Sequence, residues 1–458
     1  MGYIGVLDID PTLPRFQSAH IVLIASFVFN LILVASLAAD RLAVQSQCVW
    51  FRILVFPTLW TGLWLLAGIF VGDYPTHSSS LMGWSDLIQV ASLGGRPLID
   101  FLVALFGTTV LELATLPALF KKASVPSEIV EDAIDGETLP SSSPFALHFS
   151  LAKHPFVLYS ILMGLVAVYG GSQVNIHNGS MFQVAYSDYV PPSVPVGCLA
   201  GQSALVPQQD YTHWFNRSAE LVQKGARLVL WSELTAFTTD EQDEAHFLEL
   251  AKTFASTHHI YLAATYGTSG FPPTENRLVL ISPEGQILIN YNKAHPVPIV
   301  ELQEPGEPVI QYVDTKEFGR IGVAICFDYN YAQFIWQAGR HKVDVMLQAS
   351  QTWGPMGTYH AQQNAIRAVE NGFTLFRCVS EGMSGVFEPT ANGIFTQKNP
   401  TLTDEIRLFY LPLQKRINTL YGYIGDTFGY SCLIAGIVAT GYLGWKEYKL
   451  KRDGQLAI

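Results

Sequence analysis

The chain has 458 residues, 49% of them hydrophobic and only 14% charged, with a formal net charge of −11. Soluble domains carry about 25% charged residues, so this deficit points to a protein that lies at least partly in a membrane. The acidic balance, with no basic stripe, zinc-ligand spacing or glycine-rich phosphate loop, argues against nucleic acid as a partner.

Residues 18–39 contain no Asp, Glu, Lys or Arg. About 20 apolar residues cross the hydrocarbon core, and the run is too long for a signal peptide, so a spanning helix is predicted there. Further spans are predicted at 53–72, 101–120 and 155–171, completing a membrane domain over 1–172, and at 428–445 near the C-terminus. Glu112 falls within the third span. Ionisable groups inside a membrane are costly, and Glu112 is expected to meet Thr108 or Thr109 in a helix contact, with a head-group role as the alternative. The segment 128–144, acidic and rich in Ser and Pro, reads as a mobile linker. Lys446, Lys449, Lys451 and Arg452 in the tail 446–458 place that end in the cytoplasm, and the loops then alternate to put the N-terminus outside.

The stretch between the fourth and fifth spans, about 195–415, reads as an α/β domain on the outer side. Strands are expected at 196–201, 227–233, 260–267, 322–326, 343–350 and 373–380, with a hairpin over 277–293 turning at Pro283-Glu284-Gly285. Helices are expected at 207–224, 239–258, 329–340 and 357–371. Five cysteines are too few and too scattered for a disulfide framework. Cys48, Cys198, Cys378 and Cys432 are all read as buried thiols. Asn178 and Asn216 head glycosylation sequons on the expected outer side.

Three reactive side chains each finish a strand run: Glu233 after "LVLWS", Lys293 after "ILINYN" and Cys326 after "VAI". Sites in open α/β sheets gather outside strand ends. A thiol needs a base, which Glu233 can be, and a lysine ammonium offsets the effect of the carboxylate on the thiol. The ammonium, with a backbone N–H such as that of Phe327, can also stabilise the oxyanion of a tetrahedral intermediate. Acid, cation and thiol suffice for acyl transfer without a cofactor.

The words "WSELTAF", "YNKAHPVP" and "ICFD" resemble the Glu-Lys-Cys signatures of the nitrilase (carbon–nitrogen hydrolase) superfamily. The resemblance implies an α-β-β-α sandwich inserted between transmembrane helices. It also implies Glu233 as general base, Lys293 as oxyanion stabiliser, Cys326 as nucleophile and Glu301 as the carboxylate that supports the lysine. The membrane spans, with the stretches 72–108, 359–372 (His360, Arg367 and Glu370 included) and 419–426, are similar to the apolipoprotein N-acyltransferase family. That likeness implies transfer of a fatty acyl chain from a phospholipid, through a Cys thioester, to an amine acceptor such as a lipoprotein. It makes Trp353 in "SQTWGP" a candidate for lining an acyl channel, with ordinary packing as the alternative. The chain departs from the family in having fewer helices before the domain, a shorter Lys293–Cys326 loop and Asp328 in place of a glutamate. A membrane-tethered amidase acting on a small amide is therefore the rival expectation, and a non-catalytic binding scaffold a third.

Overall fold

The computed structural model describes residues 15–73, 76–81, 83–117, 152–178, 192–202, 210–269, 273–298, 300–352, 356–390 and 397–453. The expected linker 128–144 and Trp353 lie outside them.

Among the described residues four long helices precede the catalytic-type domain: α1 (Arg15–Val44), α2 (Val49–Val71), α3 (Ala91–Leu111) and α4 (Pro155–Asn178). Among the described residues four helices are long and apolar enough to cross a membrane: α2, α3 with the turn that follows it, α4 up to Gln173, and the last helix, α9 (Thr427–Arg452). Gly62 of α2 lies directly on the backbone of Leu433 in α9, where a Cβ would come within 2.4 Å. Small residues of this kind let membrane helices approach closely.

Glu112 does not pair with Thr108 or Thr109. Both threonines are satisfied by main-chain carbonyls, Thr108 reaching Ile53 and Leu105 and Thr109 reaching Leu105 and Phe106. Arg52 at the start of α2 instead clasps both Glu112 oxygens at 2.7 Å. The bidentate ion pair is stronger than any hydroxyl contact there.

The α/β domain is a sandwich of two sheets. One is seven-stranded, in the order β13-β1-β2-β4-β5-β6 with β3 beside β4. Its strands are β1 (Ser193–Ala200), β2 (Leu228–Trp231), β3 (Ala236–Thr238), β4 (Tyr261–Thr268), β5 (Asn276–Ile281), β6 (Ile287–Asn292) and β13 (Glu405–Pro412). The other is six-stranded, in the order β12-β11-β10-β9-β8-β7. It is formed by β7 (Tyr312–Thr315), β8 (Gly319–Ile325), β9 (Val345–Gln351), β10 (Thr374–Ser380), β11 (Gly382–Phe387) and β12 (Gln397–Thr401). The strands β1-β2-β4 and β8-β9-β10 run parallel at the two sheet centres, and antiparallel strands flank them.

Alternation along each strand explains the layering. Leu228 and Leu230 face the second sheet, while Val229 and Trp231 pack against α5 (Thr212–Gln223) and α6 (Glu241–His258) through Trp214, Leu221 and Phe247. On the far side α7 (Ala332–Arg340) and α8 (Met356–Asn371) cover the second sheet with Phe334, Ile335, Ala365 and Ile366. The inner core runs on without a break to Ile99 and Leu102 of α3, so the outer helix layer is also the seat of the domain on the membrane helices.

Three of the four cysteine expectations are corrected. Cys198 of β1 and Cys378 of β10 form a disulfide rather than being free thiols. Their strands sit at the middle of facing sheets, which brings the two Cα atoms to 5.2 Å across the sandwich, within bridging range. Cys48, at the turn between α1 and α2, is exposed; Cys432 is free and buried as expected.

Candidate active site

The local fold delivers the three strand-end residues to one pocket. β2 is followed by the buried residues Ser232 and Glu233, and then by Leu234 at φ 52°. β6 ends directly before Lys293. β8 ends before Cys326, which takes φ 43° and opens a 3₁₀ turn over Cys326–Asn330. A left-handed backbone at a non-glycine residue costs of order 1–3 kcal/mol and is held there only by its surroundings.

Asp328 supplies that hold. Its Oδ2 accepts from the Ile325 N–H at 2.9 Å and from the Tyr291 hydroxyl at 2.7 Å. Its Oδ1 accepts from the His295 N–H at 2.8 Å and lies 3.0 Å from His295 Nδ1. One buried carboxylate thus ties the thiol turn to the segment that carries Lys293.

The Lys293 ammonium is wholly buried and donates to Glu233 Oε1 and to both oxygens of Glu301, each at 2.7 Å. Glu233 Oε1 also accepts from Asn276 Nδ2 at 2.8 Å, and Oε2 from the Gln351 N–H at 2.8 Å. Cys326 Sγ lies 3.5 Å from the Gln351 carbonyl oxygen. Residue 351 therefore touches both the carboxylate and the thiol. Glu301 accepts additionally from the Val297 N–H at 3.0 Å.

Burial pushes the Cys326 thiol well above the ordinary range, and Glu233 adds to it, while Lys293 pulls the other way. Burial would lower Lys293, but Glu233 and Glu301 outweigh it and hold the ammonium above the ordinary lysine range. Burial likewise raises Glu301 against the pull of Lys293. The thiol is accordingly at rest as S–H. The set can move its proton to a carboxylate and can place a cation beside a developing oxyanion.

The thiol turn is joined to the membrane helices. Gly72, which closes α2 at φ 79°, leaves so little room that a Cβ there would meet Asn330, Tyr331 and the Phe327 ring at 3.1–3.4 Å. The Asp73 N–H donates to the Asn330 carbonyl at 2.6 Å, and Asn330 Nδ2 returns a bond to the Asp73 carbonyl at 2.7 Å. The Asp73 carboxylate pairs with Arg367 of α8 and with Arg96 of α3. Beside this junction a cavity of about 840 Å³ opens between the outer ends of α2 and α9 and the domain, with Phe70, His295, Tyr331, Trp336 and Tyr430 among its walls.

Glu233, Lys293, Cys326 and Glu301 are thus together, and Phe327 lies within the thiol turn. Asn276, the first residue of β5, and Gln351, the last of β9, also touch Glu233, but an amide side chain or a main-chain N–H at a strand end carries no chemical signal in the sequence. Asp328 stood inside the quoted "ICFD" word. Asn216 is exposed on α5, while Ser218 of the same sequon is buried and accepts from Trp231 Nε1 at 2.9 Å.

The model of the carbon–nitrogen hydrolase family matches residues 196–423. Two curated proteins named apolipoprotein N-acyltransferase, from Rickettsia typhi and Rickettsia prowazekii, are each 24% identical over 54% of this chain and 53% of their own. The chain therefore spans about half the length of the curated relatives it matches. Among solved structures, Nit3 of Saccharomyces cerevisiae, a nitrilase-superfamily protein, is 19% identical over 48% of this chain and 90% of its own, with a TM-score of 0.42. Family model, relatives and the two-sheet architecture agree: the chain carries a carbon–nitrogen hydrolase domain and belongs to the nitrilase superfamily.

Proposed function

We propose that the protein is a membrane-bound N-acyltransferase that moves a fatty acyl chain from a phospholipid, through a thioester on Cys326, to an amine-bearing acceptor such as a lipoprotein. One observation carries this reading beyond the family: the thiol turn is built onto the outer end of a membrane helix, through Gly72, Asp73 and Asn330. For an amidase of small soluble amides that attachment would be a tether only, whereas a lipid substrate must reach its nucleophile from the bilayer. The curated relatives are named apolipoprotein N-acyltransferase, which agrees with an N-acyl transfer.

In this mechanism the Glu233 carboxylate takes the Sγ proton as sulfur attacks the acyl carbonyl carbon. The carbonyl oxygen becomes an oxyanion beside the Lys293 ammonium and the Phe327 N–H. Collapse breaks the ester C–O bond, and the leaving alkoxide takes the proton from Glu233 and departs as a lysophospholipid. The acceptor amine then attacks the thioester carbonyl, losing a proton to Glu233. The C–S bond breaks, an amide forms and the proton returns to the thiolate. Glu301 keeps Lys293 aimed. No cofactor takes part.

The domain is placed on the non-cytoplasmic side, with the C-terminus in the cytoplasm. The basic residues that end α9 support this, as does the Cys198–Cys378 disulfide, since disulfides persist in oxidising compartments.

The test is the intact mass of the full-length protein after incubation with mixed phospholipids, beside Cys326→Ala. A hydroxylamine-sensitive acyl adduct on the parent, absent from the variant, is expected. If the folded parent forms no adduct, releases no lysophospholipid and turns over small amides, the phospholipid reading is wrong and the membrane-tethered amidase takes its place.

A further inference from the structure

Arg377 lies in the middle of β10 with its side chain wholly buried. Its Nη1 donates to Ser350 Oγ at 2.9 Å, its Nε to the Met383 carbonyl at 3.1 Å, and its Nη2 lies 3.3 Å from His360 Nδ1. None of these partners among the described residues is a carboxylate. Removing a guanidinium from water without a counter-charge costs several kcal/mol, so a buried unpaired cation in a catalytic-type domain calls for a reason. Burial lowers its pKa to about 10, which still leaves it charged at neutral pH.

His360 does not share the charge. Accepting from Arg377 requires a lone pair on Nδ1, which puts the ring proton on Nε2, facing Asn330 Oδ1 at 3.0 Å. Exchanging the amide atoms of Asn364, whose Oδ1 is otherwise unpartnered, gives that Nε2–H a second acceptor. Burial, and then Arg377 itself, keeps this imidazole neutral.

The charges facing Cys326 come from four elements: Glu233 after β2, Lys293 after β6, Glu301 in the loop beyond it, and Arg377 on β10. Tyr329 and His360 face Arg377 as neutral groups. Two carboxylates against one ammonium would leave a closed pocket with excess negative charge, the worst setting for a thiolate. Arg377 offsets that excess, while the Asp328 carboxylate of the thiol turn is met by the Ile325, Tyr291 and His295 donors. The balance is unchanged when the Sγ proton moves to Glu233, because one negative charge then simply changes place. The path between the groups is short: Arg377 holds Ser350, whose carbonyl accepts the Glu233 N–H, and Gln351 next to it contacts both Glu233 and Sγ.

We propose that Arg377 is the counter-charge of the Cys326 thiolate, a positioning residue that makes proton transfer from the thiol to Glu233 feasible in a sealed pocket. The proposal rests on Cys326 being the nucleophile but not on the identity of the acyl donor.

The test uses full-length protein in a Cys48→Ser background, which removes the exposed thiol. The rate of iodoacetamide alkylation at Cys326, located by peptide mass, is followed against pH. Arg377→Gln should raise the midpoint by about one pH unit, which is about tenfold slower alkylation at pH 7. Arg377→Lys, which keeps the charge, should restore most of the parent profile. A folded Arg377→Gln with its disulfide intact and the parent profile overturns the proposal. Should Arg377→Gln not fold, Arg377→Lys decides: a parent-like profile supports the counter-charge, and an upward shift with the fold intact overturns it. Alkylation needs no acyl substrate, so failure of the phospholipid reading leaves this result standing.

Discussion

Cys326 is a residue whose ordinary chemistry has been altered by where it sits. The thiol is raised by burial and by the carboxylate that must receive its proton, so reactivity depends on the proton having that one place to go. Glu233→Gln keeps the hydrogen bond from Lys293 and the shape of the pocket but removes the base. Acyl transfer should fall by about 10²–10⁴-fold with the circular dichroism spectrum unchanged. Asp328 acts differently, since it touches no reacting atom and holds the thiol turn through four contacts. In Asp328→Asn the amide nitrogen cannot accept, so at least one buried donor is left unmet, at about 1–3 kcal/mol. A lower thermal midpoint together with slower alkylation of Cys326 is expected. An unchanged midpoint would show that the turn is held by packing alone.

At the scale of elements, the decisive contact is between the end of α2 and the face of α8. Asp73 is buried, and burial alone would raise its pKa, but Arg96 and Arg367 hold it below the ordinary carboxylate value. Its folded pKa lies below its unfolded one, so its contribution is complete above about pH 4, the unfolded value. The contribution is lost as pH falls through the lower folded value. Thermal midpoints measured against pH should therefore drop on the acid side for the parent. Asp73→Asn should begin lower at neutral pH and lose part of that acid slope. Parallel curves for the two proteins would mean that the docking of α8 on the membrane helices does not depend on this charge.

For the whole molecule, the disulfide joins the two sheets of the sandwich across a sequence separation of 180 residues. In the chain-entropy model, closing a loop of that size stabilises by about 5 kcal/mol. Cys378→Ser, or reduction of the parent, should lower the thermal midpoint of the domain markedly. The same measurement checks the compartment: protein made in a reducing cytosol should show two free thiols more than protein exported to an oxidising one.

The sequence by itself determined that long apolar segments flank an α/β domain of the nitrilase superfamily, and it singled out Glu233, Lys293, Cys326 and Glu301. Hydrophobic length, periodicity and the residue that ends a strand are local signals; Glu233, Lys293 and Cys326 each sit beside one, while Glu301 came from the family resemblance alone. Strands β3, β7, β11, β12 and β13 were missed: β3 has only three residues, β7 and β12 are polar edge strands that resemble loops along the chain, and β11 and β13 carry no clean local signal. Only the tertiary structure decided the partner of Glu112, the pairing of Cys198 with Cys378 and the convergence of Asp328, Asn276 and Arg377 on the site. Each of those depends on which sheet faces which, or on which helix end meets which turn, and residues tens to hundreds of positions apart carry no local mark of that encounter.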